Sequence, residues 1–211
     1  MKEIDFNQVL IIATNVGYVI AGGIICYLII RKKIVEFLDN YKSNLNVGSK
    51  VPKQAKTDLD IIKRMEQVKE LLDADRVQVY EFHNGEHYAN GRSALKFSCT
   101  YEVSRVGTQS IQQKMSHIPM SCVPHFIEQL LDQEFIKTSD IEKTKEEMPA
   151  TYEMRKSIGV VSSQDMVIKN KNNEPVGFIS VQWCKDHKMR SDDRELFRLA
   201  TFVEERIIGE K

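Results

Sequence analysis

Residues Val9–Ile30, VLIIATNVGYVIAGGIICYLII, run for 22 positions without a charge, and Asn15 is the one strongly polar group among them. At ~1.5 Å rise per residue, a helix of about 20 such residues crosses the hydrocarbon core of a bilayer. A buried soluble helix of this length keeps a polar face, which this stretch lacks. A cleaved signal peptide would start basic and end at a small-residue cleavage site. Here Lys2 is set against Glu3 and Asp5, and Arg31-Lys32-Lys33 follows the apolar run. The sequence therefore predicts a short tail over residues 1–8 and a transmembrane helix over residues 9–30.

The basic cluster after the span sets the expected orientation. By the positive-inside rule the N-terminus lies outside the plasma (inner) membrane and the rest of the chain is cytoplasmic. Ala13, Gly17 and Ala21 recur every four residues, a small-residue stripe that lets two helices approach and points to a homo-oligomer. Four cysteines, Cys26, Cys99, Cys122 and Cys184, with no close pairing, do not form a disulfide framework and suit a reducing compartment. Acids and bases balance at 30 each, so charge gives no argument for a nucleic-acid partner.

Beyond the span, Ile34, Phe37, Leu38 and Tyr41 share one helical face, and Asn46–Lys56 reads as a basic linker. Residues 31–56 are thus a juxtamembrane helix and tether that can lie against anionic lipid. A folded domain begins at residue 57 and runs to 211. Thr57 or Asp58 caps a helix to about Asp73, with Ile61, Met65, Val68 and Leu72 as its seam and Leu59, Ile62 and Leu71 widening it. Arg76–His83 is a strand. Ser93–Val103 alternates with period two, which places Leu95, Phe97, Cys99, Tyr101 and Val103 on one face. Ser121–Gln133 is helical with Pro124 in its first turn, and residues 142–156 are charged and partly helical around Pro149. Ile158–Lys169 and Pro175–Cys184 pair as a hairpin across Asn170–Asn173. Asp192 caps a last helix whose apolar face is Leu196, Leu199, Ala200, Val203 and Ile207. Helix, two strands, helix, irregular segment, hairpin and helix define an α+β class: an antiparallel sheet flanked by helices.

Residues 57–209 resemble a GAF domain. The resemblance rests on LLDADRVQVYEFHNG for the opening helix and first strand. Gly159 with Ser162 and Ser163, the Asn172-Asn173 tip, Gly177-Phe178-Ile179 and the Asp192-Asp193 cap carry it through the second half. The HNG form behind a single span also resembles small membrane-anchored proteins of bacteriophages and prophages. The resemblance implies a sensory or interaction module without catalysis that binds a small molecule or a protein partner, working as a homodimer. The sequence lacks the family's cyclic-nucleotide motif and shows no chromophore-attachment cysteine followed by histidine, so it names no cofactor. Two other readings stand beside it: an oligomeric, holin-like membrane assembly, and a thiol-dependent reductase of the same fold.

Candidate site residues follow from placement. His83, Asn84 and Gly85 close the first strand, and loops at strand ends often carry function. Asn84-Gly85 marks a turn, in which Gly85 would take a positive φ. That turn argues against His83 and His87 as a helical metal pair, so no metal site is expected. Phe97, Cys99 and Tyr101 on the apolar face of the second strand complete the expected ligand-binding set. A thiol enzyme would need a low-pKa cysteine; Cys122, opening a helix, is the best placed of the three beyond the span. Trp183 is expected in the core.

Overall fold

The computed structural model describes residues 23–38, 47–87, 91–184, 189 and 192–207. The chain divides into two compact units, Met1–Gln54 and Ala55–Lys211. In the first, residues 23–38 form helix α1, on which Ile34, Phe37 and Leu38 are all exposed. Among the described residues no helix is long and apolar enough to cross a membrane. Most of the predicted span, with Ala13, Gly17 and Ala21, lies outside the described residues.

The expected linker is instead helical: α2 runs Val47–Leu72, with Pro52 inside it. Val51, Gln54 and Ala55 break up the Gly, Ser and Lys positions, and lysines are good helix formers. From Thr57 onward the predicted seam holds. Ile61, Met65, Val68 and Leu72 are all buried, whereas Leu59 and Leu71 are exposed and do not widen the stripe.

The second unit is built on one antiparallel sheet. Its strands are β1 (Arg76–His83), β2 (Lys96–Ser104), β3 (Ile118–Pro119), β4 (Phe135–Thr138), β5 (Ser162–Lys169) and β6 (Pro175–Trp183). They lie in the order β3-β2-β1-β6-β5-β4. The short edge strands β3 and β4 add to the predicted set. The β5–β6 hairpin turns at Asn170, whose Oδ1 accepts hydrogen bonds from the backbone N–H groups of Asn172 and Glu174, both at 2.9 Å. Asn173 takes the left-handed φ of 63° that asparagine tolerates. Gly177 is required by proximity: a Cβ there would lie 2.1 Å from the Tyr80 carbonyl oxygen of β1.

One layer covers the first face. There α2 and α5 (Asp193–Ile207) bury Val77, Val79, Val103, Ile179, Val181 and Trp183 under Met65, Val68, Leu196, Leu199 and Val203. The α5 cap forms as expected, with Asp192 Oδ1 accepting from Glu195 N at 3.2 Å. An ion pair between Arg64 and Glu195 joins the two helices. The other face is covered by α3 (Pro124–Gln133), α4 (Pro149–Ser157) and the segment 105–117, which bring Phe126, Leu130, Met148, Ile111 and Met115 onto the sheet. Pro124 and Pro149 each sit at the start of a helix, where a missing N–H is harmless.

One irregularity decides what each face presents. Val79 pairs with Tyr101, but Tyr80 pairs with Cys99, so Thr100 is an extra residue opposite β1. This β-bulge reverses the inward and outward positions along β2. The expected single face is therefore wrong. Phe97 and Cys99 belong to the α3/α4 face, Tyr101 and Val103 to the α2/α5 face, and Leu95 is exposed.

Candidate functional site

The α3/α4 face of the sheet is divided along its length. At one end Tyr80, Phe97, Phe178 and Phe126 form an aromatic cluster. Tyr80 stacks on Phe178 with ring centroids 4.4 Å apart, and Phe97 and Phe126 meet Phe178 edge-on at 5.5 and 5.6 Å. At the other end the inward positions are polar: Arg76 and Gln78 on β1, Ser180 and Gln182 on β6, Ser163 and Asp165 on β5. All are buried. The register aligns them across three strands, with Gln182 of β6 opposite both Arg76 and Ser163, and Ser180 opposite both Gln78 and Asp165.

Buried polar groups must find partners, and these largely find one another. Arg76 donates to Gln182 Oε1 and to the Gln109 carbonyl, both at 2.8 Å. Gln78 donates to Glu102 at 2.8 Å and accepts from the Tyr80 hydroxyl at 3.0 Å. From α4, Arg155 reaches down to Asp165 at 2.7 Å, with side chains only 3% and 1% exposed. The same guanidinium lies 4.9 Å from the centre of the Phe126 ring. Ser163 adds a 3.0 Å hydrogen bond to the same carboxylate oxygen, Oδ2.

Two buried atoms are left over. Asp165 Oδ1 and Arg76 Nε have no hydrogen-bond partner among the described residues. Leaving such a group unsatisfied costs about 1–3 kcal/mol, more when it is charged. Asp165 lines a cavity of about 20 Å³ with Tyr80, Phe97, Met115, Arg155 and Ser180. That volume accommodates a group about the size of one water molecule.

Of the five residues expected to bind a ligand, Phe97 lines this cavity and Cys99 packs in the same cluster. Tyr101 does not join them. The bulge turns it to the other face, where its hydroxyl donates to Asp58 of α2 at 2.6 Å. His83 does not line the cavity; its Nε2 is 2.9 Å from Ser98 Oγ and its Nδ1 3.3 Å from the Asn84 carbonyl. A carbonyl only accepts, so Nδ1 carries the proton and Nε2 accepts from the serine hydroxyl. Asn84 is exposed. Gly85 is glycine for a reason other than the expected positive φ: a Cβ would meet the Ala94 carbonyl oxygen at 2.1 Å.

The Cys99 thiol is not activated. Burial, with the Glu102 carboxylate adding to it, pushes the Cys99 thiol up to about 12, so it stays protonated at neutral pH. Cys122 is exposed in a single 3-10 turn ahead of α3 rather than in the helix itself. Burial likewise raises the Tyr80 hydroxyl well above its ordinary value. Among the described residues no group of three or more His, Cys, Asp or Glu side chains is placed to hold a metal ion.

The residues that sequence reading missed are Arg76, Gln78, Arg155, Asp165, Ser180 and Gln182. For Arg76, Gln78, Ser180 and Gln182 a trace was present in the alternations RVQV and ISVQW, where one phase is apolar and the other polar; SSQDM, polar in both phases, and Arg155 carried no such signal. Alternation of that kind is ordinarily a solvent-facing side; here α3 and α4 cover it.

The strand order, the hairpin and the helical cover on both faces define Ala55–Lys211 as an α+β unit with the GAF fold. It is similar to the blue-light-absorbing form of the Thermosynechococcus elongatus PixJ GAF domain, at TM-score 0.53 and 14% identity, over 72% of this chain and 83% of that one. It is also similar to a red/green cyanobacteriochrome in its red-light-absorbing state, at TM-score 0.53 and 13% identity over 73% and 93% of the two chains. A phycocyanobilin-bound GAF domain of a cyanobacterial phytochrome matches at TM-score 0.51 and 13% identity over 77% and 92%. No family model and no curated protein matches the chain. A bilin such as the one in the last structure does not suit the residues present. The cavity on this face is about 20 Å³ between packed aromatic side chains, and the one thiol in the cluster is buried and protonated.

Proposed function

We propose that Ala55–Lys211 is a non-catalytic sensory module that binds a compact ligand on the α3/α4 face. The ligand inserts a hydrogen-bond donor group about the size of one water molecule into the cavity of about 20 Å³, and the rest of it lies outside that cavity. The observation behind this reading is Asp165 Oδ1: a fully buried carboxylate oxygen, bordering a cavity, with no donor to satisfy it. Buried polar groups without partners point to a functional role when they converge on a cavity beside aromatic walls. Arg155 links the site to the outer layer, because it joins α4 to Asp165 of β5 and lies over Phe126 of α3. A ligand that rearranges this contact shifts α4, and the surface of α4 is what a partner protein would read.

The wider setting rests on sequence alone. The uncharged run Val9–Ile30 supports a membrane anchor, its small-residue stripe supports a homodimer, and the basic cluster after it supports a cytoplasmic module. The bacteriophage setting rests on the resemblance of the HNG form behind one span.

The test is native mass spectrometry of the full-length chain for a co-purifying molecule, followed by thermal shifts against metabolite pools. A ligand at 100 times its Kd stabilises by about 2.7 kcal/mol through mass action. Ser180→Val fills the cavity while keeping both members of the Arg155–Asp165 pair, and should abolish that shift. A ligand whose shift survives Ser180→Val binds elsewhere, and the absence of any stabilising ligand would refute the reading.

A further inference from the structure

A second unsatisfied carboxylate lies on the other side of the sheet. Glu204 of α5 is 8% exposed, yet its Oε1 accepts no hydrogen bond from any described residue. The neighbouring acid on the same helix behaves differently: Glu195 is held by Arg64 and Arg198. Among the described residues, Lys169 in the same groove and Arg206 on the same helix are committed elsewhere. Lys169 holds Glu134 at 2.6 Å, and Arg206 points to Asp60 at 3.8 Å.

Glu204 lines a groove of about 400 Å³ between α5 and the β4–β5 edge, a size ordinary for a small-molecule site. Its walls include Phe135, Met166, Phe197 and Thr201. Phe197 is 65% exposed, an aromatic surface that the fold leaves uncovered. The groove's charged residues are Glu134, Glu204 and Lys169, so it carries one negative charge beyond its internal pair. An excess carboxylate next to open aromatic faces suits a cation with an apolar body.

We propose that this groove binds a small organic ammonium or guanidinium ligand, its cationic head on Glu204 and its apolar body across Phe197 and Phe135. The site is separate from the cavity at Asp165 and does not depend on it.

The experiment uses the full-length chain at neutral pH, with phenethylamine and n-hexylamine as probes and 2-phenylethanol and 1-hexanol as neutral counterparts. Binding is followed by calorimetry and by NMR shifts of the Phe197 ring. The amines should bind at least about ten-fold tighter than the alcohols, a difference of about 1.4 kcal/mol. Glu204→Gln keeps the shape and removes the charge; it should erase the preference for amine over alcohol. Phe197→Ala changes an exposed side chain, should leave folding intact, and should weaken both amines several-fold. Equal affinity for amines and alcohols, no response to Phe197→Ala, or no amine binding up to about 10 mM would overturn the proposal.

Discussion

The two faces of the sheet differ in how much polar material they bury. The α2/α5 face is mostly apolar, with Met65, Val68, Trp183, Leu196, Leu199 and Val203 packed together, although buried Gln164, the Trp183 ring N–H and Glu204 place polar atoms within it. The α3/α4 face carries a connected polar set at one end, Arg76, Gln78, Asp165, Ser180 and Gln182, and leaves two of their atoms unsatisfied. Both faces are equally hidden from solvent, so burial alone does not explain the difference. Apolar packing is the cheaper way to stabilise a covered face, because buried ion pairs barely repay their desolvation. A face that keeps such a network is under a demand other than stability, and the ligand reading meets that demand.

Four measurements break or sharpen this contrast, in order of expected effect. Trp183→Ala opens the apolar face at a fully buried position and should cost about 4 kcal/mol in a urea melt. A loss below about 1 kcal/mol would show that this face is not the stabilising one. On the polar face, Arg155→Ala strands the Asp165 carboxylate and should cost about 3 kcal/mol. The double variant Arg155→Met with Asp165→Leu should recover that loss or exceed wild-type stability, since the pair is replaced by apolar volume. Failure of the double variant to recover would mean that the pair is needed for the fold itself.

Alkaline pH provides the third. The folded state raises the Cys99 thiol from an ordinary value of 9.0 to about 12, so it holds this proton more tightly than the unfolded chain. The stability this provides is complete below pH 9 and is lost as pH rises towards about 12. The slope is at most about 1.4 kcal/mol per pH unit for one group. Cys99→Val should flatten part of the decline in melts between pH 8 and 11; an unchanged slope would remove Cys99 as its source. The Tyr80 hydroxyl, raised by the same burial, contributes in the same direction at higher pH. The smallest effect belongs to the outer surface of α2: Leu59→Ser, at an exposed position, should stay within about 0.5 kcal/mol of wild type.

Much of this architecture was legible in the sequence. The seam Ile61-Met65-Val68-Leu72, the Asn170–Asn173 hairpin and the Asp192 cap each follow from a local rule that needs no tertiary information. The edge strands were not legible. Ile118–Pro119 and Phe135–Thr138 are two and four residues long, too short to show a period, and exist because a longer neighbour offers hydrogen bonds. Helix α2 starts earlier than expected because Gly48 and Pro52 were read as breakers, whereas both lie within the described helix. The candidate site was half legible. Phe97 and Cys99 were found as apolar strand positions, but the polar half looked like a wet surface until α3 and α4 were seen to cover it. Tyr101 was misassigned because a one-residue bulge leaves no mark in an alternation count.

That extra residue, Thr100, has an effect beyond geometry. It divides one strand into two lengths that answer to different layers: Lys96–Cys99 is tied to the aromatic cluster, and Tyr101–Ser104 to the helices behind the sheet. The two lengths are packed against different layers, so their backbone hydrogen bonds open independently if the ligand reading holds. Amide exchange along this single strand should therefore fall into two rate classes meeting at Thr100, which makes the strand itself a boundary between a part of the molecule that endures and a part that responds.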